Sequence, residues 1–81
     1  MAVTVRLFAA ARSAAGTDAA SADPGTLATV IDDLLGRYPD LAPVMPRCSF
    51  LVDGTAVHGQ AEDVVIADGV EIDVLPPFAG G

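Results

Sequence analysis

The sequence predicts an α+β domain, one mixed sheet with a long helix laid on one of its faces, and three observations predict it. Val3, Val5 and Leu7 alternate with Thr4 and Arg6, and Val70, Ile72 and Val74 alternate with Glu71 and Asp73; both runs carry the period of a strand with one face on a core. Between them Leu27, Val30, Ile31, Leu34 and Leu35 recur at i, i+3, i+4, i+7 and i+8, the apolar stripe of a helix. Asp53-Gly54 separates Ser49–Val52 from Thr55–His58, and Asp-Gly suits the type I′ turn of a hairpin. Eighty-one residues make one domain, close to the size at which a single core barely suffices, so a deep catalytic cleft is not expected.

In chain order, the first strand ends near Leu7, leaving Phe8 on the side of Thr4 and Arg6, an aromatic on a polar face or at the core's edge. Ala9–Ala15 is rich in strong helix formers, and Gly16 stands where a left-handed C-terminal cap is wanted. Arg12 sits on that turn, free to reach outward. Thr17–Asp23 reads as a strand of small residues, followed by a turn at Asp23-Pro24-Gly25. Thr26 is the N-cap of the long helix, and Pro39 stops it by about Tyr38. Asp32 and Asp33 are adjacent, so they point about 100° apart and form a solvated face, not a catalytic dyad. Leu41–Pro46 is a proline-punctuated connection. Val64–Ala67 precedes a turn at Asp68-Gly69, and the strand from Val70 closes the sheet. In a sheet covered on one side the last strand commonly pairs with the first, which puts Phe8 and Leu75 together on the uncovered face as an apolar docking patch.

Composition narrows the function. Three Phe, one Tyr and no Trp leave the core to Val, Leu and Ile. Eleven acidic residues against four arginines, with no lysine, give a net charge of −7. That balance argues against nucleic acid and anionic membrane, and fits either a partner with a basic face or simply a solvated acidic surface. No apolar run is long enough to span a membrane, and Arg6 and Arg12 interrupt the N-terminal stretch before a secretory segment forms, so a cytoplasmic location is expected. Cys48 is the single cysteine, which rules out an internal disulfide; between Arg47 and Ser49 it reads as a half-buried small apolar residue. His58 is the single histidine, lacks any ligand motif around it, and reads as a surface residue. There is no GxxxxGK[ST] loop, metal-ligand set or nucleophile paired with a base, so no autonomous catalytic site and no bound metal or cofactor is expected.

The chain divides into residues 1–75, the domain, and residues 76–81, a flexible tail. Pro76 and Pro77 lack backbone N–H groups and hold φ near the polyproline value, so the final strand must leave the sheet there and stay extended. Phe78 and Ala79 continue the tail, and Gly80 and Gly81 make its end thin enough for a narrow channel in another protein. Six extended residues reach roughly 20 Å.

Phe8-Ala9-Ala10-Ala11-Arg12 followed by Gly16, together with Pro76-Pro77-Phe78-Ala79-Gly80-Gly81, resembles the two end motifs of the small, ubiquitin-like sulfur-carrier subunits of molybdopterin synthase. The resemblance covers nearly the whole chain. It implies a β-grasp fold and places the chemistry at Gly81, first as an acyl-adenylate and then as a thiocarboxylate that gives its sulfur to cyclic pyranopterin monophosphate. It implies Pro76, Pro77, Phe78, Ala79 and Gly80 as the inserting tail, and Phe8, Arg12, Ala56 and Leu75 as partner contacts, Ala56 being smaller than the aliphatic the family favours there. The implied partners are the synthase large subunit, a ubiquitin-activating-type adenylating enzyme that uses ATP and Mg, and a sulfur donor. Alternatives are a carrier for thiamine, cysteine or another thiolation pathway, or a ubiquitin-like modifier of other proteins.

Overall fold

Alternation decides the centre of the molecule. In the computed structural model, which describes residues 2–77, strand β1 (Val3–Leu7) buries Val3, Val5 and Leu7 and leaves Thr4 and Arg6 out. Strand β7 (Glu71–Leu75) buries Ile72 and Val74 on the same side. The two strands pair in parallel, with Val5 opposite Ile72 and Leu7 opposite Val74. Because side chains along a strand alternate, this register puts both aliphatic sets on one face. Strands β2 (Ala19–Ala22), β4 (Ser49–Val52) and β5 (Thr55–Ala56) complete a five-stranded sheet in the order β2-β1-β7-β4-β5. β2 runs antiparallel to β1 and β4 antiparallel to β7, so the sheet is mixed, as expected, and the last strand is its middle member.

The long helix α2 (Leu27–Arg37) covers the aliphatic face. Leu27, Val30 and Leu34 are buried, with Ile31 and Leu35 packed against the core from its margin. Each fully buried aliphatic side chain contributes about 1.5–3 kcal/mol before entropy. Thr26 caps the helix: its hydroxyl accepts from the Thr29 backbone N–H at 3.2 Å, and Thr29 Oγ1 accepts from the Thr26 N–H at 3.0 Å. Two otherwise orphaned donors are thereby satisfied. The short helix α1 (Ala9–Ala15) ends at Gly16, whose φ of 74° is left-handed and whose N–H reaches the Arg12 carbonyl at 2.9 Å. A Cβ there would meet nothing within 4 Å, so the sign of φ, not lack of space, requires glycine. The β4–β5 turn is the expected one, with Asp53 and Gly54 at φ 48° and 84° and Val52 opposite Thr55.

Four details depart from the sequence reading. The hairpin's second strand does not extend to His58: β5 ends at Ala56, the Val57 N–H still reaches the Phe50 carbonyl at 3.0 Å, and Gly59 at φ 92° turns the chain away. The final strand begins at Glu71, Val70 belonging to the preceding turn through its N–H to the Ala67 carbonyl. The proline-rich connection is not mere linkage. It forms 3₁₀ turns over Pro39–Leu41 and Met45–Arg47 that put Leu41 and Met45 into the core. Gly25–Thr26, strand β3, pairs with Val65–Ile66, strand β6, in a second, two-stranded sheet beside the N-terminus of α2. On the outer edge of the large sheet Arg37 donates to the Ser21 carbonyl of β2 and pairs with Asp33 at 3.0 Å, which occupies a backbone acceptor an incoming strand would use.

Candidate functional site

The face of the sheet away from α2 carries the candidate site. Its register builds one row across all five strands: Ala19 opposite Arg6, Arg6 opposite Asp73, Asp73 opposite Leu51, and Leu51 opposite Ala56. One step toward the end of β7, Leu75 lies opposite Ser49. Phe8 follows Leu7 there, its N–H donating to the Val74 carbonyl at 3.3 Å. Phe8 is 37% exposed and Leu75 half-buried, so the two apolar residues stand at the same end of adjacent strands on the open face, as the alternation predicted. Ala56 is exposed at the far side of the sheet. Arg12 is exposed on α1, not on the sheet, and makes no ion pair among the described residues.

Sequence reading missed the centre of this face. Asp73, which alternates with the aliphatic residues of β7 and so belongs to its outer side, is only 9% exposed. Arg6 covers it: Nε donates to Oδ1 at 2.9 Å and Nη2 to Oδ2 at 3.3 Å, a side-on bidentate pair between neighbouring strands. Glu71 Oε1 lies 3.7 Å from the same Nε, and the guanidinium sits 5.5 Å from the centre of the Phe8 ring. The hydrogen bond with Asp73, then the charges of Asp73 and Glu71, push the Arg6 pKa further up, so it is cationic at every relevant pH. The available signal was the opposite charge of two outward residues on strands expected to be neighbours.

The tail leaves from the same end. β7 stops at Leu75; Pro76 is buried against the domain and Pro77 exposed. The expectations for Phe78, Ala79, Gly80 and Gly81 lie outside the described residues.

Elsewhere the surface is less promising. A groove of about 400 Å³ runs beside β5 and is lined by Leu27, Cys48, Phe50, Val57 and His58 among others. Cys48 is half-buried, as read from the sequence; its thiol donates to the Val44 carbonyl at 3.4 Å, and burial pushes its pKa up, the reverse of what a nucleophile needs. His58 is exposed. Among the described residues no group of three or more His, Cys, Asp or Glu is placed to hold a metal, and no helix is long and apolar enough to cross a membrane.

A mixed sheet wrapped on one long helix, with first and last strands parallel side by side, defines a ubiquitin-like β-grasp domain. Within that class the chain belongs to the ThiS family, whose model matches residues 5–81. It is 30% identical, over the full length of both chains, to the molybdopterin synthase sulfur carrier subunit of Chlamydomonas reinhardtii. Among solved structures it is similar to small archaeal modifier protein 1 of Methanosarcina acetivorans, with a TM-score of 0.86 at 28% identity over 99% of this chain and 96% of that one. It also shares its fold with a chain in the complex of subunits 1 and 2 of the molybdopterin-converting factor from Helicobacter pylori, with a TM-score of 0.72 at 21% identity over both full chains.

Proposed function

We propose that this protein is the sulfur-carrier subunit of a molybdopterin synthase, with Gly81 as the carrier atom's site. The observation that supports it most is the full-length likeness to a relative of that name, joined to a fold whose central strand runs directly into Pro76-Pro77-Phe78-Ala79-Gly80-Gly81. A carboxylate is a poor electrophile, because its charge is delocalised and oxide is a bad leaving group. An adenylating partner therefore uses ATP and Mg to join the Gly81 carboxylate to AMP, releasing pyrophosphate. A sulfur nucleophile then displaces AMP, leaving sulfur on the Gly81 carbonyl as a thiocarboxylate. The tail carries that sulfur into the large subunit at high effective concentration, where cyclic pyranopterin monophosphate accepts it. This chain's own contribution is to hold the tail and to dock, with Phe8, Leu75 and Ala56 on the open face and Arg12 beside it.

Intact-mass spectrometry after incubation with the adenylating enzyme, ATP, Mg and a sulfur source tests the reading: one C-terminal oxygen is replaced by sulfur, and deletion of Gly81 abolishes the change while leaving the melting temperature unaltered. An unchanged mass with a competent partner refutes it. Recovery of a thiazole or cysteine synthase, in place of a molybdopterin synthase large subunit, in a pull-down would redirect the sulfur to another pathway.

The likeness to an archaeal modifier supports a second reading, attachment of Gly81 to lysines of other proteins. The chain has no lysine, so it cannot build polymers on its own side chains, though it can be attached singly. Gly-Gly remnants of this tail on cellular lysines would establish that use.

A further inference from the structure

The open face places a fixed guanidinium beside the apolar residues Phe8 and Leu75, and its unspent hydrogen bonds say what must cover it. Arginine has five N–H donors. Two are given to Asp73, and among the described residues no hydrogen bond takes the three that remain, on Nη1 and the second hydrogen of Nη2. Arg6 is clamped on several sides, by Asp73 across the strand, by Glu71 at 3.7 Å and by the Phe8 ring beneath it, yet its side chain stays 47% exposed. It is therefore a preorganised donor, half exposed, with hydrogen bonds still to give. A partner seated on Phe8 and Leu75 also takes the adjacent Arg6 out of water, and a wholly apolar partner surface would strand those donors at a cost in affinity. The charge count narrows the complement further. One cation already faces two carboxylates, Asp73 and Glu71, so a partner carboxylate would be a third anion around it.

We propose that Arg6, held by Asp73, is a specificity-determining residue that selects a partner laying an uncharged carbonyl oxygen, from main chain or side-chain amide, over the guanidinium while seating apolar groups on Phe8 and Leu75. This rests on the carrier reading for the choice of partner. The Asp73 contact is a positioning contact, and a carrier with apolar residues at both positions would fit a different, drier partner face.

The test is calorimetric titration of the full chain with the molybdopterin synthase large subunit encoded in the same genome. The double variant Arg6→Met with Asp73→Leu removes the ion pair but fills the space with apolar side chains, a replacement that ordinarily preserves stability. It is expected to bind roughly tenfold more weakly or worse. The loss should be the same factor at about 0.05 M and about 0.5 M salt, since an uncharged acceptor is little affected by screening. Arg6→Lys keeps a cation against Asp73 but loses the planar fork, and it is expected to show a smaller loss; it carries the test if the double variant does not fold. Equal or tighter binding by the folded double variant, or by Arg6→Lys in its place, overturns the inference, the pair then being only a clasp between strands. A loss that shrinks as salt rises identifies a partner carboxylate and overturns the uncharged acceptor. If the unaltered protein does not bind the large subunit at all, the carrier reading for that synthase fails and this inference falls with it.

Discussion

Ile72→Asp and Leu75→Asp place the same carboxylate on the same strand, three residues apart, and the fold assigns them opposite outcomes. Ile72 is 1% exposed beneath α2, opposite Val5 on β1 and Val52 on β4. Its replacement forfeits about 1.5–3 kcal/mol of apolar burial. It also puts an unpaired charge among aliphatic groups, a penalty of several kcal/mol even after relaxation. A domain of this length has a total stability of about 4–12 kcal/mol, so the sum removes most or all of it. Leu75 is half-buried on the open face, where the new carboxylate stays hydrated, and the cost to the isolated domain is about 1 kcal/mol or less. Against the large subunit the order reverses: Leu75→Asp should weaken binding by about 2 kcal/mol or more, as for a central apolar contact. Thermal melts followed by circular dichroism, with calorimetric titration of whichever variant folds, measure both quantities. A Leu75→Asp protein that unfolds beside a stable Ile72→Asp protein would refute the face assignment and the docking surface built on it.

Two further outcomes follow from local geometry. Thr26→Ala removes the hydroxyl that accepts from the Thr29 N–H and should cost about 1 kcal/mol in denaturant titration, with an unchanged m-value. The Cys48 thiol, its pKa raised by burial, should react with iodoacetamide more slowly than free cysteine at neutral pH. The same shift sets a sign for stability: the thiol's contribution is complete below the unfolded chain's thiol pKa and is lost as pH rises toward the folded value, because the unfolded chain ionises first.

Where a pattern repeats within one element, the sequence was legible. β1, β7 and α2 each present enough apolar positions for a period to show, and Asp53-Gly54 and Gly16 demand their backbone conformations locally. Phe8 and Leu75 were found the same way, by counting along strands whose inner faces were evident. What escaped had no period or no local partner. β3 and β6 have two residues each, too few for alternation to register, and they are held by their position beside α2. Leu41 and Met45 are apolar residues among prolines, and only the path of the 3₁₀ turns brings them inward. The Arg6–Asp73 pair joins residues 67 apart, so it becomes visible only once the register of β1 on β7 is fixed.

The middle position of β7 has a consequence for how the protein is made. On the ribosome β1 and α2 emerge first, but the strand that belongs between β1 and β4 follows every other strand of its sheet in the chain, so the sheet cannot close until β7 itself has left the tunnel. A chain halted before β7 lacks the strand that joins β1 to β4, so both would be left with an unpaired edge. The folded body thus acts as its own check on synthesis: a molecule able to dock is one that has been translated at least to the strand from which the tail departs.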